Sequence, residues 1–274
     1  MTNEPLVSII MPVYNGELYV KEAIQSVLSQ AYRQWELIII NDGSTDRSEE
    51  VILSFDDSRI VYHRQENAGV AKARNKALGL MKGTLFCFLD ADDILPGQSL
   101  LVRVRIFREN PEVNFVDGTV LQKDQKLQNL IRTYTPVFRG NPFESLILKP
   151  EVCFGFITWM IKKPNPMVFM DEGVTHGEDR LYFTRLAQDP ATLYTFVDEV
   201  IYETRVHGSS AMTNLYGLEN GYIHLYRTLK NDLKVKTWFL IRFKLRQARV
   251  LFLSNLSAGN FRQALTSALR MIIT

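Results

Sequence analysis

The first third of the chain alternates two hydrophobic patterns. Residues 6–14 (LVSIIMPVY) form an apolar run that ends at the turn pair Asn15-Gly16, the pattern of a strand buried on both faces. Val20, Ala23, Ile24, Val27 and Leu28 then recur at helical spacing and mark one apolar face. Residues 36–40 (ELIII) predict a second buried strand, running straight into Asn41-Asp42-Gly43-Ser44. Asp46, with Glu49 three residues on, has the form of a capping box and predicts a short helix through Leu53. Residues 60–63 predict a weaker strand. Val70, Ala73, Ala77 and Leu80 predict a further helix, stopped by Gly83. Residues 85–89 (LFCFL) form a third strongly apolar strand, ending in Asp90-Ala91-Asp92-Asp93.

Short connections between alternating strands and helices imply an α/β fold: a Rossmann-like, mostly parallel sheet, helices on both faces, and right-handed crossovers. Open sheets of this kind bind ligands outside the carboxyl ends of their strands. Tyr14-Asn15, Asn41-Asp42 and the run Asp90 to Asp93 all fall at such ends and should converge in one cleft. Further along, residues 191–202 predict another strand, and Leu181, Phe183 and Leu186 a helix that opens at Glu178-Asp179. No internal repeat or low-complexity segment is present.

The 274 residues are 46% hydrophobic and 23% charged, which suits a globular chain with a full core and excludes a disordered tail protein. Cys87 and Cys153 lie far apart, match no metal or redox spacing, and sit in apolar runs, so buried thiols are expected. No apolar run reaches the ~18 residues of a membrane span. The opening residues lack a basic leader, and the expected location is cytoplasmic. Net charge changes the picture at one place. Residues 216–274 hold ten Lys and Arg against two Asp and Glu, a net +8, while residues 1–215 carry −6. That shift predicts a boundary between a catalytic domain (1–215) and a basic helical C-terminal segment (216–274). It fits either a solvated basic face or contact with something anionic.

Three carboxylates within four residues, directly after a buried strand, repel one another unless something neutralises them. A hard divalent cation does so, with substrate phosphate oxygens completing its shell. The alternative is a turn in which Asp caps the helix that follows Pro96. G-x-G-x-x-G after the first strand, G-x-x-x-x-G-K-[ST], G-x-S-x-G and H-E-x-x-H are all missing, so dehydrogenase, P-loop, hydrolase and zincin readings lose their main support.

Six motifs in order then become specific. PVYN (12–15), NDGSTD (41–46), NAGVAKARN (67–75), FLDADD (88–93), HGED (176–179) and RVHGSS (205–210) resemble glycosyltransferase family 2 in sequence and spacing, over about residues 5–212. The resemblance implies the GT-A fold, with a nucleotide-binding half (about 1–95) joined to an acceptor-binding half (about 96–215). It implies an inverting, non-processive transferase using a nucleotide diphosphate sugar, most plausibly a UDP-sugar, with Mn²⁺ or Mg²⁺. The acceptor would be a carbohydrate or a lipid-linked species in surface polysaccharide or glycolipid assembly.

By position, Pro12, Tyr14 and Asn15 would lie beside the nucleotide, with Tyr14 next to the base. Asp42 would accept from the base amide, and Asn67, Lys72, Arg74, Asp90 and Ala91 would complete the nucleotide site. Asp92 would hold the metal, with His207 as a further ligand. Asp179 would be the base that removes the acceptor proton, with Glu178 as the alternative. Asp93, Trp159 and His176 would lie on the acceptor side. Each has a plainer reading: a solvated Lys72, a core Trp159, Glu178 and Asp179 merely favouring a helix N-terminus. His63 and His224 read as structural. A sugar nucleotidyltransferase is the alternative enzyme, but PVYNGELYV has no basic residue before Lys21 for its phosphate loop. A non-catalytic binding module on the same scaffold would be favoured by a lost carboxylate, yet all are present. Nucleic acid is not an expected partner, and oligomeric state is open.

In the basic segment, residues 238–252 carry two stripes if helical. Trp238, Ile241, Leu245, Ala248 and Phe252 form one; Phe239, Phe243 and Val250 form the other. One stripe can pack on the catalytic domain. The second needs a partner: a helix over residues 261–273, or peripheral contact with a membrane surface.

Overall fold

The computed structural model describes residues 4–149, 156–174, 176–207, 215–233 and 235–274. Cys153, Thr175 of the HGED region and Gly208-Ser209-Ser210 of the RVHGSS motif lie outside the described residues.

In chain order the elements begin β1 (Val7–Val13), α1 (Val20–Leu28), β2 (Trp35–Asp42), α2 (Ser48–Leu53), β3 (Ile60–Gln65), α3 (Val70–Leu80) and β4 (Leu85–Phe88). They continue with α4 (Ser99–Glu109), β5 (Phe115–Lys123), β6 (Leu130–Tyr134), α5 (Phe143–Leu148), β7 (Met160–Lys162), α6 (Glu178–Leu186) and β8 (Tyr194–Arg205). Three long helices close the chain: α7 (Leu215–Asn231), α8 (Thr237–Ser257) and α9 (Phe261–Ile273).

One eight-stranded sheet runs through the first 205 residues, in the order β3-β2-β1-β4-β7-β5-β6, with β8 paired to β5. The first four strands are parallel. Past β4 the sheet becomes mixed: β7 is antiparallel to both β4 and β5, β6 is antiparallel to β5, and β8 is parallel to β5. Every residue of β2 and β4 is buried. Successive side chains point to opposite faces, and the core splits accordingly. Val7, Ile9, Met11, Leu37, Ile39 and Cys87 meet α1 and α4 on one face. Ile10, Ile38, Ile40, Phe86 and Phe88 meet α3 and α6 on the other. Cys87 is a buried free thiol, as its apolar surroundings predict.

Three expectations need correction. The strand expected at 191–202 begins and ends three residues later, because its register follows β5 through Lys123↔Arg205. That shift delivers the chain to His207 right after the sheet ends. The capping box forms only in part. Asp46 Oδ1 accepts from Ser48 N and Oγ, but Glu49 turns away and accepts from Tyr62 and Arg64 on β3. Gly83 does not stop α3, which ends at Leu80 with Met81 already extended. It is needed because a Cβ there would lie 2.6 Å from Ser8 Oγ and 2.7 Å from the Leu6 and Leu85 carbonyls.

The closing helices form a third cluster, with Leu229, Phe243, Leu251 and Met271 packed on Ile147 and Leu148 of α5 and Leu181 of α6. The stripes read from sequence are regrouped here. The buried face of α8 is Leu240, Phe243, Gln247, Ala248, Leu251 and Asn255, while Trp238, Ile241 and Leu245 are exposed. A buried stripe containing Gln247 and Asn255 is not one that an apolar count would select.

Candidate active site

The loops after β1, β2 and β3 are cross-linked by side chains accepting or donating to backbone. Asn15 takes a left-handed conformation (φ 51°), which Asn tolerates better than most residues. Its Oδ1 accepts from Thr45 N, and its own N–H donates to Ser44 Oγ. Gly16 N donates to Ser48 Oγ, and Glu17 N to Asp46 Oδ2. Asn41 Oδ1 accepts from Ser44 N, closing the Asn-Asp-Gly-Ser turn. Gly43 (φ +74°) faces the Asn67 backbone so closely that a Cβ would sit 2.6 Å from its nitrogen. The PVYN, NDGSTD and NAG motifs are therefore one interlocked structure.

Asp42 is buried, and its carboxylate accepts from Gln65 Nε2 (2.7 Å), Ala68 N (2.9 Å) and Gly69 N (2.8 Å). It holds the loop that leads into α3, leaving one acceptor position of Oδ2 uncommitted. Tyr14 is exposed at the end of β1, Pro12 is half-buried within it, and Ala91 is half-buried against Gly16. Asn67 and Lys72 are exposed. Lys72 lines an open cavity of about 590 Å³ with Gln65, Ala68, Asn75 and Lys76.

The acidic turn after β4 is supported from β8 and α3. Tyr202 Oη accepts from Asp90 N at 3.1 Å. Asp93 also accepts from Arg205 N at 2.8 Å and is buried. The Arg205 guanidinium donates to the Asp92 and Gln125 carbonyls and to Glu22, and lies over the ring of Tyr19. Ligand atoms of Asp90, Asp92 and Asp93 lie within 4.8 Å of one another. His207 Nε2 meets Asp92 Oδ2 at 2.7 Å, and its ring packs on Tyr19 with centroids 5.2 Å apart. Burial pushes the Asp93 carboxyl well above the usual range, and its neighbours Asp92 and Asp90 push it further. Asp90 is raised by burial too, although Arg74 opposes the shift. The three crowded carboxylates are hard oxygen donors that could hold a divalent cation, with the borderline His207 imidazole beside them. The cluster is one that a divalent cation would relieve.

Arg74, on the second turn of α3, joins the donor end of the cleft to the catalytic candidates. It is 4% exposed; Nη2 donates to Asp90 Oδ1 at 2.9 Å, and Nη1 reaches Glu178 Oε1 at 3.4 Å. Burial lowers its pKa, but Asp90, Glu178 and Asp179 outweigh that and the guanidinium is held charged. Glu178 is buried and pushed up, by burial first and then by Asp179. Asp179 is more accessible than Glu178, at the first turn of α6. The turn carrying Glu178 and Asp179 is fixed from behind. Arg180 donates to the Leu146 and Ile147 carbonyls of α5 and lies against Phe243 of α8. Gly221 of α7 lies so near the His176 carbonyl that a Cβ would stand 2.1 Å from its oxygen.

Two acceptor-side expectations are corrected. Trp159 is fully buried among Phe115, Phe183 and Tyr194 and has no face to offer a sugar. Asp93 is buried and accepts from Arg205 N, which ties the acidic turn to the end of β8. His176 is half-buried where α7 meets the loop before α6. Sequence reasoning missed Tyr202, Tyr19 and Gln65. Tyr202 and Gln65 lie in strands, Tyr19 just before α1, and none carries a local signal beyond its type.

The family model described as glycosyl transferase family 2 matches residues 8–165, which contain β1 to β7 and the acidic turn. The chain belongs to glycosyl transferase family 2. An uncharacterized glycosyltransferase of Rickettsia typhi, RT0329, is 48% identical over 131 residues, 47% of this chain and 41% of that protein. The chain thus spans about two fifths of the length of that relative. The putative teichuronic acid biosynthesis glycosyltransferase TuaG of Bacillus subtilis is 27% identical over 89% of this chain and 96% of its own length. WfgD of Escherichia coli, a UDP-Glc:alpha-D-GlcNAc-diphosphoundecaprenol beta-1,3-glucosyltransferase, is 42% identical over 41% of this chain and 45% of its own.

The family's GT-A fold also appears in solved structures. Staphylococcus aureus TarS 1–349 in complex with UDP-GlcNAc superposes with a TM-score of 0.62 at 15% identity, covering 97% of this chain and 89% of that one. The mannosyltransferase PcManGT of Pyrobaculum calidifontis, solved with GDP-Man and Mn²⁺, gives 0.60 at 17% identity over 99% and 81%. At these identities the likeness is one of fold.

Proposed function

We propose that this chain transfers a sugar from a nucleotide diphosphate sugar, a UDP-sugar first, to a hydroxyl of a carbohydrate or lipid-linked acceptor, with inversion. The observation that carries the reading is Arg74: one buried guanidinium contacts Asp90 at the acidic turn and Glu178 beside the base. The donor and acceptor ends of one cleft are thereby set at a fixed separation.

Tyr14, Asn67 and the Asp42-held loop form the nucleoside end, where the remaining acceptor position of Asp42 suits a base N–H. Asp92 and His207 would hold the divalent cation, with Asp90 beside them. A bound cation supplies charge neutralisation for the departing diphosphate. Asp179 takes the proton of the acceptor hydroxyl as its oxygen forms a bond to the anomeric carbon. The bond from that carbon to the diphosphate oxygen breaks, and the nucleoside diphosphate leaves with the electron pair. Attack from the face opposite the leaving group gives inversion. Glu178 is held by Arg74, which leaves Asp179 as the carboxylate for the acceptor. The names of TuaG and WfgD support a place in surface polysaccharide or glycolipid assembly, and that of WfgD a lipid-linked acceptor.

A screen of nucleotide sugars for hydrolysis without acceptor, with and without Mn²⁺, identifies the donor. Calorimetry of UDP on wild type and Asp92→Asn, each with and without metal, tests the cation. Tight binding in the wild type with metal alone is expected. Equal affinity in all four cases removes the metal from the reading.

A further inference from the structure

The α8–α9 hairpin exposes more apolar side chain than a surface helix pair needs. On α8, Ile241 and Leu245 are 54% and 57% exposed; on α9, Leu265 and Leu269 are 59% and 50% exposed. The two sets lie on helices packed side by side. Ser267 and Arg270 on one side of α9 reach Glu219 of α7, so Leu265, Leu269 and Ile272 occupy the side away from α7. Lys244 donates to the Ile272 carbonyl, bringing the first turns of α8 beside the last turn of α9. Between α7 and the start of α8 a cavity of about 490 Å³ is walled by Tyr226 and Lys230 of α7 and by Leu240, Ile241 and Lys244 of α8.

We propose that this outer flank docks on an anionic lipid bilayer. Residues 237–274 hold six Lys and Arg and no Asp or Glu. A second copy docked by the same flank would therefore bring like charges together. Large aliphatics with a tryptophan, bordered by Arg242, Arg249 and Arg262 on helices lying side by side, match interfacial helices that combine apolar area with attraction to anionic headgroups. Lysines beside an apolar wall suit a phosphate headgroup above an acyl chain. No described helix is long and apolar enough to cross a membrane, so the contact is peripheral. The surface lies outside the cleft and does not depend on the donor reading.

The full chain is mixed with vesicles of phosphatidylcholine alone or with phosphatidylglycerol, at low and high salt, and sedimented. Binding to the anionic vesicles alone, weakened by salt, is expected. Of the three tryptophans, Trp35 and Trp159 are buried and Trp238 is exposed, so a blue shift of emission on binding that Trp238→Phe removes reports this flank. The triple variant Arg242→Gln/Arg249→Gln/Arg262→Gln should bind about tenfold or more weakly. Leu245→Glu/Leu269→Glu should not bind, with its circular dichroism melt unchanged. Donor hydrolysis should survive in every variant. Absence of vesicle binding, equal binding to neutral and anionic vesicles, or binding that survives both multiple variants overturns the proposal. So does a dimer in sedimentation equilibrium that Leu245→Glu/Leu269→Glu dissolves, which assigns the flank to a second copy.

Discussion

The cleft and the closing helices are held by different kinds of interaction. At the cleft, one side-chain atom meets one backbone atom: Asp42 on Ala68 and Gly69, Asn15 on Thr45, Arg205 on the Asp92 carbonyl. Each bond demands a residue type that can accept or donate at that place, and a hydrogen bond of this kind contributes about 0.5–1.5 kcal/mol net. In α7 to α9 most of the buried surface is apolar, Glu219 with Ser267 and Arg270 aside, and many side chains of similar size would serve at Leu229 or Leu251. Specific bonds fix positions to a few tenths of an ångström, which chemistry needs. Area fixes only which face is inside.

The largest effect expected lies in the first region. Asp179→Asn should keep nucleotide affinity while turnover falls by ~10²–10⁴, the usual contribution of a general base. Glu178→Gln, which weakens the contact with Arg74, should cost less. If the two swap places in steady-state assays, with Asp179→Asn nearly silent, the base is Glu178.

A stability series sharpens the second region. Leu251 is fully buried on α8, and Leu251→Ala should lower unfolding free energy by about 2–5 kcal/mol in urea titration. Leu245, exposed one and a half turns away, should tolerate Ser within about 0.5 kcal/mol. Equal losses at the two positions would mean that the exposed flank is covered within the chain.

A pH series tests whether buried polar groups behave alike away from the cleft. Asp117 on β5 accepts from Thr158 Oγ1 and Tyr194 Oη, and burial pushes its carboxyl up to about 7. The native state therefore keeps a proton that the unfolded chain loses near 3.8. Its contribution to stability is greatest below that value and falls as pH rises to about 7, by at most roughly 1.4 kcal/mol per pH unit. Asp117→Asn should flatten that slope in thermal melts at successive pH values. An unchanged slope would place the ionisation elsewhere.

This contrast also explains what was legible in the sequence. Tyr14, Asp42 and the acidic turn sit at strand ends and are read by type and place, whereas Arg74, Asp179 and His207 stand out only through the resemblance of six motifs in order. Trp159 could not be placed, because an aromatic in a sugar subsite and one in a core have the same neighbours along the chain. The capping box at Asp46 failed for a related reason: its geometry is local, but Glu49 was claimed by Tyr62 and Arg64 on a strand. Which stripe of α8 faces inward depended on α5, α6 and α9, and Gln247 and Asn255 on the buried side defeat any apolar count.

The close approach of Gly221 to the His176 carbonyl, with Arg180 packed on Phe243, has a consequence for how the protein is made. Synthesis proceeds from the N-terminus, and domains begin folding as they emerge. The parallel sheet and acidic turn are complete in sequence well before residue 221 leaves the ribosome. The turn bearing Glu178 and Asp179 acquires its backing only after residue 243 has followed. A nascent chain cut short near residue 215 would hold the loops after β1 to β4 while α6 still lacked a wall. Under the proposed roles, the part that would bind a donor is thus complete ahead of the part that would use it.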